Sequence, residues 1–146
     1  MDAVVPALAD AMVHFGGPHP SDVVVLVTSH KEGLDLVAQL EPQFGPISHV
    51  FGDTDEESRT RKHAFWMGTG GLKMSTIHSF KGWELDNVVL IWPPGEYGRA
   101  PRAERDALFY TALSRGMRNL VVVNADRSYD TWSADWDSLP GRQGGA

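Results

Sequence analysis

Five consecutive apolar residues, Val23-Val24-Val25-Leu26-Val27, most of them β-branched, constrain this chain more than any other feature. A run with no polar alternation is expected of a strand buried on both faces, as in a parallel sheet covered by helices. It is also far too short to span a bilayer. Helical periods flank it. Val4, Val5, Leu8, Met12 and Phe15 recur at three- and four-residue spacing, which predicts a helix over Val4 to Phe15 that Gly16-Gly17-Pro18 ends. Lys31 to Phe44 reads as a second helix, with Leu34, Val37, Ala38 and Leu40 on its buried face.

Further along, a short extended piece is expected around Ile47 to Phe51, and no period fits the mixed stretch from Gly52 to Gly71, a loop with weak helical character. Leu72 to Ile77 and Asn87 to Trp92 read as strands. Pro101 suits the first position of a helix reaching Arg115, with Gly116 as its C-cap, and Asn119 to Val123 supplies another buried strand. Helices alternating with apolar strands imply a three-layer α/β domain with a mostly parallel sheet, whose ligands gather at the carboxyl ends of the strands.

The 146 residues suit one domain, and 42% hydrophobic with 22% charged side chains excludes wholesale disorder and fibrous classes. The absence of cysteine removes disulfides, thiolate metal sites and cysteine nucleophiles. The start, Met1-Asp2-Ala3, lacks the basic region of a signal peptide. A soluble, cytoplasmic protein without membrane contact is the expectation. Thirteen Lys and Arg against 19 Asp and Glu give a formal charge of −6, so any contact with nucleic acid must be local rather than a broad basic face.

Two stretches imitate nucleotide-site motifs. Gly68-Thr69-Gly70-Gly71-Leu72-Lys73-Met74-Ser75 lacks the Gly-Lys-Ser/Thr ending of a P-loop and reads as a turn before a strand. Asp55-Glu56-Glu57-Ser58 follows a turn rather than an apolar strand, unlike a magnesium-holding acidic box, and reads as a solvated loop. His14 and His19 are the only close histidine pair and have no carboxylate at ligand spacing, so no metal site is expected. The Gly-x-Ser-x-Gly turn of a serine hydrolase is missing.

Chemistry concentrates in Thr76-Ile77-His78-Ser79-Phe80-Lys81-Gly82-Trp83-Glu84. Hydroxyls, an imidazole and a lysine beside a strand end can hold phosphates, and Glu84 could accept from a ribose hydroxyl. The same residues could equally form a surface loop capped by its own hydroxyls. Arg115 ends the predicted helix, where it either complements the helix dipole or reaches a phosphate bound between two domains.

The string Thr76 to Val89 resembles the fifth motif of superfamily-1 DNA helicases of the UvrD/Rep type, written T-I-H-x-x-K-G-L-E-[FW]. Tyr110-Thr111-Ala112-Leu113-Ser114-Arg115-Gly116 resembles their sixth, Y-V-A-L-T-R-A, and the order and intervening strand match as well. The resemblance, running from Val23 to about Asp126, implies the second RecA-like motor domain, three-layered and without a P-loop of its own. Residues 1–126 would form that domain and 127–146 a partly flexible C-terminal extension. It further implies that Thr76, His78 and Ser79 lie near single-stranded DNA, and that Gly82 and Glu84 lie near the nucleotide. Arg115 would be the catalytic arginine that reaches the γ-phosphate, with Tyr110 on the same motif helix. ATP with Mg2+ would be shared with an N-terminal RecA-like motor domain, in cis or in trans, which supplies the Walker residues; this chain alone would be inactive.

The chain departs from the family's pattern in four places. Trp83 replaces a leucine and Phe80 a small residue, either to stack on a base or to pack under the loop. Ala107 stands where the family often has an arginine. The fourth motif's second arginine is absent near Thr28-Ser29-His30-Lys31, where Lys31 is the cation available. The Gly-Trp-Glu form and Phe65-Trp66 also resemble helicases fused to a nuclease-related domain. Two other functions compete: a stand-alone regulatory module derived from a helicase, and a magnesium nuclease built on Asp53, Asp55 and Glu56.

Overall fold

A computed structural model describes residues 3–66, 71–94 and 100–131. The elements follow in the order α1 (Val4–His14), β1 (Val23–Val27), α2 (His30–Phe44), β2 (Ser48–His49), α3 (Asp55–Trp66), β3 (Lys73–Thr76), β4 (Leu85–Trp92), α4 (Arg102–Leu113) and β5 (Gly116–Asn124). Among the described residues the strands form one sheet in the order β2-β3-β1-β4-β5, with every pairing parallel. The unbroken apolar run is the central strand, and all five of its residues are fully buried. The expected α/β class with a parallel sheet is therefore the observed one.

Connection handedness sets the layers. The β1-α2-β2 unit runs toward one edge of the sheet and the β4-α4-β5 unit toward the other, so right-handed crossovers put α2 and α4 on opposite faces. Helix α1 lies beside α2, the two lining one open cleft through Val5, Ala9, Ala38 and Pro42.

Helix α2 begins at Ser29, whose Oγ accepts from Glu32 N at 3.2 Å. Its buried face is Gly33, Leu36, Val37 and Leu40, whereas Leu34 and Ala38, expected inside, are exposed. The face is rotated because Gly33 has no side chain and the Phe51 ring fills that space. The acidic segment is not a loop but the first turn of α3. Thr54 Oγ1 accepts from Glu57 N at 3.1 Å, and Glu57 Oε2 accepts from Asp53 N at 3.0 Å, a reciprocal cap. That backbone donor is also the main reason the Glu57 carboxyl titrates below its ordinary range. Gly116 is not a helix C-cap either; α4 ends at Leu113 with Ser114 as its C-cap, and Gly116 pairs with Leu85 as the first residue of β5.

Past Asp126 the chain stays on the body. A 3-10 turn over Arg127–Tyr129 buries Tyr129 against Trp92 and Phe109, with ring centroids 5.3 and 4.6 Å apart. The rest of the expected extension, residues 132–146, lies outside the described residues, as do Gly68, Thr69 and Gly70 of the P-loop-like string.

Candidate functional site

Strands β3 and β4 are parallel, yet only residues 77–84 join them, so this short segment must cross β1 from the carboxyl edge of the sheet to the amino edge. At its start, Ile77 N donates to Val27 O at 3.0 Å, which continues the β1–β3 pairing by one residue. The chain then turns, with Phe80 N donating to Thr76 O at 3.1 Å and Trp83 N to Phe80 O at 3.0 Å. Phe80 is 1% exposed and anchors the crossover, whereas Trp83 is 48% exposed. Packing under the loop thus describes Phe80 and not Trp83. Gly82 has φ +88° with nothing within 4 Å of where a Cβ would stand, so backbone conformation alone selects glycine there.

The predicted site residues divide between the two edges. At the carboxyl edge Thr76 is buried, and its Oγ1 accepts from Ser79 N at 3.1 Å, so this hydroxyl shapes the turn. His78 is exposed on that turn and Ser79 half-buried. Beside them at the end of β1, Thr28 N and Oγ1 donate to Glu32 Oε2 at 3.2 and 2.9 Å. Burial nevertheless pushes the Glu32 carboxyl above its ordinary range, against the pull of these bonds. Lys31 is exposed on the first turn of α2.

At the amino edge Gly82, Trp83 and Glu84 are exposed just before β4, and Arg115 stands just before β5. Leu85 N donates to Arg115 O at 3.3 Å, and Arg115 Nη1 approaches Trp83 O at 3.5 Å. The two motif-like segments therefore meet. Arg115 Nε also donates to Thr111 O at 3.1 Å, the helix-end contact that a dipole role predicts. Tyr110, 68% exposed, lies one turn earlier on α4. The expectation that ligands gather at the carboxyl edge covers His78 and Ser79 but not Glu84 or Arg115, because the crossover segment carries Glu84, and α4 carries Arg115, to the opposite edge.

Sequence reasoning passes over Ser114. Its Oγ donates to Thr111 O at 2.8 Å and accepts from Arg115 Nη2 at 2.9 Å and Nε at 3.3 Å. A hydroxyl one residue before a helix-ending arginine is the signal that could have found it.

The imitators are structural. Lys73 Nζ donates to Ser21 O at 2.6 Å, and burial lowers its pKa, with Asp22 opposing that shift. Among the described residues no three His, Asp or Glu side chains group as metal ligands, so Asp53, Asp55 and Glu56 form no such cluster. No helix among them is long and apolar enough to cross a membrane.

Comparison with known proteins gives one family and a looser likeness. Residues 72–123 match the family described as UvrD-like helicase C-terminal domain. A crystal structure described as the C-terminal domain of a possible DNA helicase from Lactobacillus plantarum WCFS1 is 20% identical, covers 68% of this chain and 70% of that one, and has a TM-score of 0.33, too loose to carry an argument. No curated protein matches the chain. The stretch that matches the UvrD-like helicase C-terminal domain family, residues 72–123, holds β3, the crossover segment, β4, α4 and nearly all of β5.

Proposed function

We propose that the chain is the C-terminal motor domain of an ATP-dependent DNA helicase, acting in the cytoplasm with an N-terminal motor domain in cis or in trans. The observation that carries this reading is the meeting of Arg115 with the crossover segment through Trp83 O and Leu85 N. A guanidinium fixed at the sheet edge, beside the exposed Gly82 and Glu84, fits the phosphate and ribose portions of a nucleotide held mainly by another domain. ATP would supply the phosphoryl group whose transfer drives movement. Arg115 would place positive charge against that group, and Glu84 would accept from a ribose hydroxyl. Among the described residues no three His, Asp or Glu side chains group as metal ligands, and Mg2+ would be held by the partner domain. His78 and Ser79, with Thr76 shaping their turn, would face single-stranded DNA at the other edge.

The test joins this chain to its P-loop motor domain and measures DNA-stimulated ATP turnover. Arg115→Ala is expected to lower turnover by ~10³-fold or more. An unchanged rate would remove Arg115 as an arginine finger, the residue that reaches the γ-phosphate. A second reading, a regulatory module that does not move on DNA, is favoured by the absence of an arginine near Thr28. A native assembly that contains no P-loop polypeptide would select it.

A further inference from the structure

We propose that Ser114 is a positioning residue that sets the rotamer in which Arg115 is presented to an anionic ligand. The inference rests on the reading of Arg115 as a nucleotide-facing arginine and adds to it the group that aims the guanidinium.

A guanidinium carries five N–H bonds in a rigid plane. In Arg115 the Nε–H is shared between Thr111 O at 3.1 Å and Ser114 Oγ at 3.3 Å, and one Nη2–H meets the same Oγ at 2.9 Å. One edge of the guanidinium therefore grips a single hydroxyl oxygen. Nη1 makes the longest of these contacts, 3.5 Å to Trp83 O. These contacts leave two N–H bonds, one on each terminal nitrogen, the number a phosphate or carboxylate accepts in a two-pronged contact.

Ser114 is itself held in place. Its hydrogen is committed to Thr111 O at 2.8 Å, so its lone pairs face Arg115. Thr111 O is one of the last-turn carbonyls that the helix cannot satisfy internally. The helix end thus fixes the hydroxyl, and the hydroxyl fixes the arginine. A long side chain beside an exposed neighbour would otherwise lose rotamer freedom on ordering. The Ser114 contact takes that loss in the fold, before any ligand arrives.

The experiment uses the assembly in which this chain is joined to its P-loop motor domain, and compares Ser114→Ala, Ser114→Thr and Arg115→Ala. Misplacement of a correctly charged group is expected to lower kcat by about 10- to 100-fold in Ser114→Ala while KM for ATP stays within about twofold. Ser114→Thr, which keeps the hydroxyl, should restore kcat. In the 146-residue chain, the Arg115 Nε–H should exchange faster with water in Ser114→Ala, since its acceptors are reduced to Thr111 O. Normal kcat in Ser114→Ala beside a crippled Arg115→Ala would overturn the positioning role and leave the finger standing. A lowered kcat that Ser114→Thr does not restore would also overturn it. Normal turnover in Arg115→Ala would remove the finger and the positioning role together.

Discussion

At the residue scale, Gly33 shows how one missing side chain orients an element. Within a helix, glycine costs about 1 kcal/mol relative to alanine, so by local propensity Gly33→Ala should stabilise. A Cβ there would lie 2.2 to 2.6 Å from three carbons of the Phe51 ring. That ring cannot step aside. It is fully buried, with the His30 ring edge-on at 5.6 Å and the His49 ring stacked at 5.3 Å. Gly33→Ala should therefore destabilise by about 1–3 kcal/mol, the range for overpacking a filled core, read as a lower urea midpoint at unchanged slope. The same contact explains a limit of the sequence. Leu34 and Ala38 look like the inner face because spacing scores side chains, and a glycine that admits a distant aromatic has none to score.

At the element scale, legibility follows how much apolar surface each piece commits. β1 is read to the residue because every side chain in it is apolar, whereas α3 is missed because Phe65 is the one fully buried side chain described in it and polar contacts shape its start. Helix α4 lies between these extremes, and its first half is tied to the turn after β5. Tyr129 OH donates to Asp106 Oδ1 at 2.8 Å, Arg102 donates to the same oxygen at 2.7 Å and lies 4.4 Å over the Tyr129 ring, and Arg105 pairs with Asp126. Burial, with the Asp106 bond and charge behind it, pushes the Tyr129 phenol up to about 12. The unfolded chain ionises near 10, so the fold favours the neutral phenol. The stabilisation is complete below pH ~10 and is lost as pH rises toward ~12. The margin in unfolding free energy of the parent chain over Tyr129→Phe should shrink across that window in urea titrations. A margin constant from pH 9 to 12 would show that the phenol titrates alike folded and unfolded.

At the scale of the whole molecule, the crossover between β3 and β4 determines which functions can be separated. The sequence shows His78, Glu84 and Arg115 as neighbours in a motif pattern. It does not show that parallel pairing on both sides of β1 drives one short segment from edge to edge, because that follows from strand order rather than from any residue. On the proposed reading, His78 meets the DNA strand at one edge while Arg115 meets the nucleotide at the other. Damage at either end should then be local in its first effect. In the assembly with the P-loop domain, His78→Ala should weaken binding of a labelled single strand about threefold to tenfold, the worth of one hydrogen bond of about 0.5–1.5 kcal/mol. Its ATP turnover at saturating DNA should stay near the parent value. Arg115→Ala should do the reverse, keeping strand affinity while turnover collapses. Equal loss of both properties in both variants would mean that the two edges do not act as separate contacts. If His78→Ala instead kept its affinity and lost turnover, the exposed imidazole would belong to the coupling between the sites, and the turn that Thr76 caps would be its mechanical part.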